Sequence, residues 1–273
     1  MENLEQLRQE KYNAKVVSKV MLTPNLMILR VVTDEPRATF AAGQYTTLGL
    51  LGAEPRSANS DAEYEKAAPD KLIQRAYSIA SARHETREFE FYVSQVKSGQ
   101  LTPRLFALDV GDRLFVGKRI VGAFNLSEAP AGRDVLMIAT GTGITPFISF
   151  LRSHVTERPQ SRMVVVQGAA HQRDLGYYSE LSFLNGAFPN FYYLPTLTDA
   201  DETWSGKRMW IEEMLAAGVI EKETGVALDP ERTHVYLCGN PKMVENVAAW
   251  LEQNAGYRKK KGKQPGELYI EEF

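Results

Sequence analysis

The stretch "DVLMIATGTGITPF" (134–147) places an apolar run, residues 135–139, directly before a glycine-rich turn. The run predicts a buried strand, and Pro146, which suits the first turn of a helix, predicts a helix after the turn. Gly141 and Gly143 would let the backbone approach a pyrophosphate at the helix N-terminus. A plain strand–helix connection without a ligand is the alternative that this turn alone leaves open.

The second half of the chain repeats this alternation. Further strands are predicted at 163–168, 191–197 and 234–238, with helices near 146–156, 176–185, 208–217 and 241–254. Strands that alternate with helices are typical of a parallel sheet with crossover helices. We therefore expect an α/β domain over residues 129–273.

The first half consists mainly of predicted β structure. Strands are predicted at 14–23, 26–33, 43–50, 87–96 and 112–118. Pro24-Asn25 predicts a hairpin turn between the first two. Many short strands favour a small antiparallel β-barrel, which we place in residues 1–128. Residues 52–72 lack apolar periodicity and are predicted to be a surface excursion, mobile or lightly ordered.

Composition excludes several kinds of protein. The chain has 273 residues, 44% hydrophobic and 24% charged, and its net charge of -2 gives no reason to expect nucleic-acid binding. Its single cysteine, Cys238, cannot build an intrachain disulfide, a cysteine-ligated zinc site or a four-cysteine iron–sulfur cluster, and the histidines lack metal spacing. We expect no metal site, and any redox centre would be organic or on a partner.

The chain has no predicted targeting or membrane segment. Residues 1–15 mix charges instead of forming the apolar core of a secretory signal. No apolar run is long enough to cross a membrane. A cytoplasmic protein is therefore expected.

Three further stretches suit anion binding. In "RAYSIAS" (75–81) an arginine could clamp a diphosphate and a tyrosine could lie on an aromatic ring, although a surface arginine beside a half-buried tyrosine would look the same. "SGQLTPRLF" (98–106) and "LCGNPKMV" (237–244) each join a glycine to a proline-started helix, and Thr102 and Thr145 could cap two of the helices. A well-capped helix without a ligand is the alternative.

The order of these motifs resembles the ferredoxin–NADP reductase family. "FAAGQYTTLGL" (40–50), "RAYSIAS", "GQLTPRL", "ATGTGITPF" and the ending "YIEEF" are most similar to the bacterial ferredoxin/flavodoxin–NADP reductases. The resemblance implies a flavoprotein oxidoreductase that transfers a hydride between NADP(H) and FAD. It also implies single-electron exchange with ferredoxin or flavodoxin as the partner.

The resemblance also implies a set of FAD-binding residues. Arg75 would meet the pyrophosphate, Tyr77 would stack on the isoalloxazine, and Ser78 would lie near the reactive ring nitrogen. The remaining FAD-binding positions are Ala76 on the same strand and the turn of Gly99, Gln100, Leu101 and Thr102. At the C-terminus, Tyr269 or Phe273 could cover the flavin or its adenine, although a last sheet strand with a frayed end is the alternative.

The same resemblance assigns the pyridine-nucleotide site. The residues that would cradle its pyrophosphate are Thr140, Gly141, Thr142, Gly143 and Pro146. Cys238 and Gly239 would border the nicotinamide. Catalytic roles then fall to Ser78, Cys238 and Glu272, with Glu271 or Glu272 as a possible proton shuttle.

One position departs from the family pattern. Asp199 stands where the family usually has an arginine for the 2′-phosphate of NADPH. Lys207, Arg208 or Arg173 could compensate, so NADPH remains the expected substrate. A carboxylate near the ribose would instead favour the 2′-hydroxyl of NADH.

Other interpretations remain open. The basic run "YRKKKGK" (257–263) is either a docking face for an acidic ferredoxin or flavodoxin or a solvated loop. The chain could instead be an NADH-dependent reductase of an oxygenase with a separate ferredoxin, or a non-catalytic flavin or nucleotide sensor. We expect a monomer.

Overall fold

A computed structural model describes residues 2–272 and divides the chain into two compact units, with the boundary between Ala123 and Phe124. This boundary falls a few residues before the predicted one at 128/129. Each unit has its own buried apolar core.

The N-terminal unit is built on one six-stranded antiparallel sheet with the order β4-β3-β6-β1-β2-β5. Its strands are β1 (Ala14–Thr23), β2 (Leu26–Thr33), β3 (Tyr45–Leu51), β4 (Leu72–Ser78), β5 (Glu88–Ser94) and β6 (Arg113–Val116). Its helices are α1 (Glu2–Lys11) and α2 (Thr102–Ala107). The predicted barrel class is confirmed, and so is the β1–β2 hairpin, which pairs Ala14 with Thr33. Beyond the last residues of β4, the Ala80 N–H donates to the Glu90 carbonyl of β5 at 2.9 Å, which links the two outer strands.

The core of this unit follows from strand alternation. Phe89, Phe91 and Val93 lie on one face of β5, as the sequence predicts, and are buried together with residues of the neighbouring strands such as Leu29 and Leu48. Helix α1 was not predicted, because its charged residues show no clear apolar face. Leu7 of this helix packs against the core.

The C-terminal unit contains a five-stranded parallel sheet with the order β11-β10-β7-β8-β9. Its strands are β7 (Asp134–Thr140), β8 (Met163–Ala169), β9 (Phe191–Leu197), β10 (Thr233–Gly239) and β11 (Leu268–Glu272). Its helices are α3 (Thr145–His154), α4 (Tyr178–Ala187), α5 (Ile211–Ala216), α6 (Val219–Thr224) and α7 (Pro241–Ala255). The predicted α/β class is confirmed, and α6 is an addition that the sequence analysis missed.

The central strands of this sheet are buried on both faces. Every residue of β10 is buried, and β7 is buried from Asp134 to Ala139. Such continuous apolar runs are typical of parallel strands covered by helices. Among the described residues, no helix is long and apolar enough to span a membrane.

Candidate functional site

The glycine turn after β7 packs directly against the end of β10. Gly141–Ile144 forms a single 3-10 turn between β7 and α3. A Cβ added to Gly143 would lie 2.2 Å from the carbonyl oxygen of Cys238, closer than any real contact. The two turns are therefore side by side at the carboxyl edge of the sheet, the place where open α/β sheets bind ligands.

Gly239 fits the same junction from the other side. It has a φ of +137°, and an added Cβ would lie 2.5 Å from both oxygens of Thr140. The next N–H along the chain, that of Asn240, donates to the Thr140 hydroxyl at 2.9 Å. Both glycines thus allow the two strand ends to approach without side chains between them.

The two proline-started helices begin where the sequence predicts, but the predicted threonine cap of α3 is not formed. Pro146 and Pro241 occupy the first turns of α3 and α7, as predicted. The prediction that Thr145 caps α3 is wrong, because Thr145 is already helical and its hydroxyl donates to the Thr142 carbonyl at 2.6 Å. Helix α7 has a true cap that was missed, since the Asn240 side chain accepts from the Lys242 N–H at 2.9 Å.

Cys238 lies at the end of β10 and is fully buried. Burial raises the pKa of its thiol, and the neighbouring charge of Glu271, its register partner on β11, adds to the increase. The thiol is therefore held neutral at ordinary pH. Glu272, opposite Gly239 in the register, is exposed.

The carboxyl ends of β8 and β9 bring together a histidine and an aspartate. His171 Nδ1 lies 2.8 Å from the backbone carbonyl oxygen of Asp199 and 3.5 Å from its carboxylate. The Asp199 side chain itself is 78% exposed. This edge of the unit therefore presents a carboxylate where the sequence resemblance expects an arginine.

The three basic residues that could compensate for the Asp199 carboxylate differ in whether they are free to bind a phosphate. Lys207 forms an ion pair with Glu223, and the Arg208 guanidinium donates to three carbonyls of the 200–204 loop at 2.7 to 3.0 Å. Arg173 is exposed and forms no ion pair with any residue that the structure describes. Of the three, Arg173 is the cation with neither an ion pair nor a side-chain hydrogen bond to the residues that the structure describes.

In the N-terminal unit, β4 carries four of the predicted residues. Arg75 is exposed, and its one hydrogen bond within the described chain is to the Gln74 carbonyl at 2.7 Å. Tyr77 is half-buried, and burial raises the pKa of its phenol. Ser78 is buried, yet its hydroxyl has no hydrogen-bond partner within residues 2–272. A buried hydroxyl without a partner is uncommon and fits a ligand atom that completes it. Ala76 is exposed beside them.

The turn before α2 has the features of an anion site. Across the described chain, no acceptor meets the consecutive N–H groups of Gln100, Leu101 and Thr102. Successive free N–H groups form a concave site for a phosphate oxygen. The predicted cap is wrong here too, because the Thr102 hydroxyl accepts from the Val96 N–H at 2.9 Å and Leu101 occupies the cap position.

The aromatic C-terminus is only partly described. Tyr269 is buried in β11 and stacks on Tyr236 with 4.4 Å between ring centroids and on His234 with 5.8 Å. This packing argues against Tyr269 as a cover for a flavin and matches the alternative of a last sheet strand. Phe273 lies outside the described residues.

The basic run after α7 is largely used inside its own unit. Arg258 pairs with Glu267, Lys259 with Glu252 and Lys260 with Glu128. These pairs fasten the loop to the sheet and reduce the positive charge offered to a partner. The loop also borders a cavity of about 490 Å³, at the edge of the sheet opposite the glycine turns.

The comparisons with known proteins agree with this arrangement. The family model described as an oxidoreductase NAD-binding domain matches residues 137–249. The flavodoxin/ferredoxin–NADP reductase of Buchnera aphidicola subsp. Baizongia pistaciae is 30% identical over 90% of this chain and 92% of that protein. Ferredoxin–NADP reductase A of Sorangium cellulosum is 30% identical over 95% of this chain and 89% of that protein.

A solved structure shares the fold over nearly its full length. The ferredoxin NADP+ reductase from Neisseria gonorrhoeae, solved with bound FAD and NADP, superposes with a TM-score of 0.80 at 25% identity and covers 96% of this chain and 98% of that one. With the two glycine turns at one sheet edge and this full-length similarity, the chain belongs to the flavodoxin/ferredoxin–NADP reductase family.

Proposed function

We propose that this protein transfers a hydride between NADP(H) and FAD and exchanges single electrons with a ferredoxin or flavodoxin. The observation that carries the proposal is the full-length similarity to a reductase solved with FAD and NADP bound. The flavin supplies the conversion between paired and single electrons, which no side chain can perform. The protein's own residues bind, orient and shield the reacting groups.

The N-terminal unit holds FAD. Arg75, which has no carboxylate partner in the described chain, is available to a diphosphate. Tyr77 offers a half-buried ring for stacking, and the Ser78 hydroxyl offers a hydrogen bond to a ring nitrogen. The N–H groups of Gln100 and Leu101, which meet no acceptor in the described chain, would bind phosphate oxygens.

The C-terminal unit holds the pyridine nucleotide. Thr140, Gly141, Thr142 and Gly143 would hold its diphosphate, where the first turn of α3 would supply N–H groups and the positive end of the helix dipole. We expect Gly239 and Cys238, at the end of β10, to border the nicotinamide. A neutral, buried thiol adds no charge next to a nicotinamide that carries a positive charge in one redox state.

Glu272 is the candidate for proton exchange with solvent. It is the exposed one of the two adjacent glutamates at the end of β11. Glu272→Gln would retain cofactor binding and lose the proton-dependent part of turnover. The pH profile of kcat measures this, and an unchanged profile contradicts the role.

The second candidate function is an NADH-dependent reductase that serves an oxygenase through a separate ferredoxin. The observation that favours it is the exposed carboxylate of Asp199 beside His171. An acidic residue can accept a hydrogen bond from the ribose 2′-hydroxyl of NADH and repels the 2′-phosphate of NADPH. Arg173, which has no ion pair with the described residues, supports NADPH instead.

An anaerobic titration tests the proposal. The purified protein is mixed with NADPH or with NADH, and flavin absorbance is followed. Rapid bleaching by NADPH, followed by reoxidation on addition of an oxidised ferredoxin or flavodoxin, is the expected result. Faster bleaching by NADH favours the second function. A purified protein that neither retains nor rebinds FAD contradicts both.

Location and assembly are part of the same proposal. We expect a cytoplasmic protein, because NADP(H) and small electron carriers are available there, and we expect it to be a monomer. Cell fractionation and light scattering of the purified protein measure the two properties separately. A membrane-fraction protein or a dimer at micromolar concentration would contradict the respective statement.

A further inference from the structure

The segment 52–71, which the sequence presents as a loose excursion, contains a buried carboxylate. Glu63 is 6% exposed in its side chain, although residues 52–71 form no helix or strand. A buried carboxylate is costly unless its charge is paired and hydrogen-bonded. Its partners therefore indicate what holds the segment in place.

Two arginines and one N–H satisfy Glu63. Arg104, in α2, donates to it and is 5% exposed, and Arg56 donates at 2.9 Å. The Ala67 N–H donates to the other carboxylate oxygen at 3.0 Å. Burial alone would raise the pKa of Glu63, but these hydrogen bonds and the arginine charges outweigh it and lower the pKa. The carboxylate is thus ionised and fully engaged.

The same two guanidinium groups also bind the carbonyls of the turn before α2. Arg56 donates to the Gly99 carbonyl at 2.7 Å and to the Lys97 carbonyl at 2.9 Å. Arg104 donates to the Gln100 carbonyl at 2.6 Å. Each carbonyl that points toward the arginines forces the following N–H to point the other way, because the peptide unit is planar and trans.

This geometry accounts for the free N–H groups of the turn. The carbonyl of Gly99 belongs to the same peptide as the N–H of Gln100, and the carbonyl of Gln100 to that of Leu101. Both of these N–H groups lack an acceptor within the part of the chain that the structure describes. The two arginines therefore fix the orientation of the peptides, and Glu63 fixes the arginines.

We propose that Glu63 is a positioning residue for the FAD diphosphate: through Arg56 and Arg104 it holds the 99–101 peptides with their N–H groups turned toward the cofactor. The inference rests on the proposed function, since it assigns this turn to FAD. It gives the segment 52–71 a role in cofactor affinity. Glu63 itself does not contact the cofactor.

The test compares Glu63→Gln with Glu65→Gln in the full-length protein stripped of flavin. Both variants remove one negative charge from the same segment, but the Glu65 side chain is exposed and forms no hydrogen bond or ion pair with residues 2–272. Binding of FAD and of riboflavin is measured by quenching of flavin fluorescence. Riboflavin has no phosphate and reports on the ring site alone.

For Glu63→Gln we expect FAD affinity to fall at least about tenfold, as for loss of a charged hydrogen bond, while riboflavin affinity changes by less than about twofold. Glu65→Gln should leave both affinities unchanged. Trypsin should also cleave within 52–71 faster in Glu63→Gln than in Glu65→Gln, which reports on the segment without any cofactor.

Three results would overturn the inference. The first is an unchanged FAD affinity in Glu63→Gln while the wild type binds FAD, which leaves the proposed function intact. The second is an equal loss of FAD and riboflavin affinity, which indicates general damage. The third is a wild-type protein that does not bind FAD at all, which removes the proposed function as well.

A second variant covers the case in which Glu63→Gln does not fold. Arg56→Lys keeps the positive charge next to Glu63 but lacks the planar fork that reaches Gly99 and Lys97 together. We expect FAD affinity to fall about threefold with riboflavin unchanged, about the effect of one weakened hydrogen bond. Equal affinities for FAD in Arg56→Lys and the wild type would overturn the inference.

Discussion

Substitution of Gly143 by alanine should damage the nucleotide turn without touching the other unit. The added Cβ would lie 2.2 Å from the carbonyl oxygen of Cys238, 2.4 Å from its carbonyl carbon and 2.6 Å from the Gly239 nitrogen. All three atoms are backbone, so no flexible side chain can move aside. Relief requires that the turn and the end of β10 separate by about 1 Å, judged against the ordinary spacing of packed atoms.

The expected cost follows from overpacking. Extra methyl groups in well-packed cores cost about 1–3 kcal/mol, and a clash between two backbone segments belongs at the upper end, about 3 kcal/mol. Urea unfolding of the α/β unit, followed by tryptophan fluorescence, measures the change, because Trp204, Trp210 and Trp250 all lie in that unit. NADPH binding should weaken at least about tenfold, since the turn must move away from its ligand geometry.

Two glycines of the same unit serve as matched controls. Gly141 has a φ of +55° and no atom within 4 Å of an added Cβ, so Gly141→Ala should cost only the left-handed backbone penalty, about 1 kcal/mol. Gly186 in α4 also has free space, and Gly186→Ala should stabilise the helix by about 0.5 kcal/mol. FAD content should stay at the wild-type level in all three variants. The reasoning is refuted if Gly143→Ala unfolds at the wild-type urea concentration and binds NADPH with wild-type affinity.

Three other substitutions test the site and its support. Asp199→Asn should raise the ratio of kcat/KM for NADPH over NADH about fivefold, the effect of removing one charge near 4 Å in water, and an unchanged ratio would show that this carboxylate does not face the ribose. Asn240→Ala should lower the free energy of unfolding by about 1 kcal/mol, measured in urea, because α7 loses its cap, and no loss would mean that water replaces the cap fully. Burial and the nearby charge of Arg133 lower the pKa of His234 in the folded protein. The unfolded chain therefore takes up a proton on this histidine at a higher pH than the folded protein does, and the free energy of unfolding falls as the pH drops below about 6.5. His234→Gln should flatten that fall in thermal melts across this range, whereas the exposed His84→Gln should not, and parallel curves for His234→Gln and the wild type would contradict the assignment.

Much of the fold follows from local sequence patterns. The apolar runs that became β7, β8, β9 and β10 and the alternation of Phe89 and Phe91 are signals contained within a few residues. The proline-started helices at Pro146 and Pro241 are equally local. The fold class could therefore be predicted because each signal depends only on near neighbours.

The predictions of threonine caps were wrong because a cap residue is defined by where the helix begins. Thr145 precedes a proline and suits a cap position by type, but the 3-10 turn before it already winds the chain, so its hydroxyl bonds backward to Thr142. Thr102 is drawn to Val96 across its own loop. In both cases backbone geometry set by the preceding turn decides the outcome, and residue type does not report it.

The role of charged residues is the part that sequence reasoning could least predict. Glu63 is one of several acidic residues in a polar segment, and its partner Arg104 lies 41 positions away. Lys207, considered free for a 2′-phosphate, is bound to Glu223, while Arg173, with the same charge, has no ion pair among the described residues. Whether a charge is used inside the protein or left for a ligand is a property of long-range contacts.

Whether a basic residue is already paired with a carboxylate is a better guide to the binding sites than the number of basic residues. The lysine-rich loop after α7 has the highest local positive charge, yet Lys259 and Lys260 are paired with glutamates. Arg75 stands apart on its strand with no ion pair in the described chain and lies three positions before the buried, unpartnered hydroxyl of Ser78. An anion gains most from a cation that the protein has not already neutralised, because no existing ion pair must be broken to bind it. By this criterion the strand with Arg75 is a stronger candidate for a phosphate contact than the lysine-rich loop, even though the loop carries more charge.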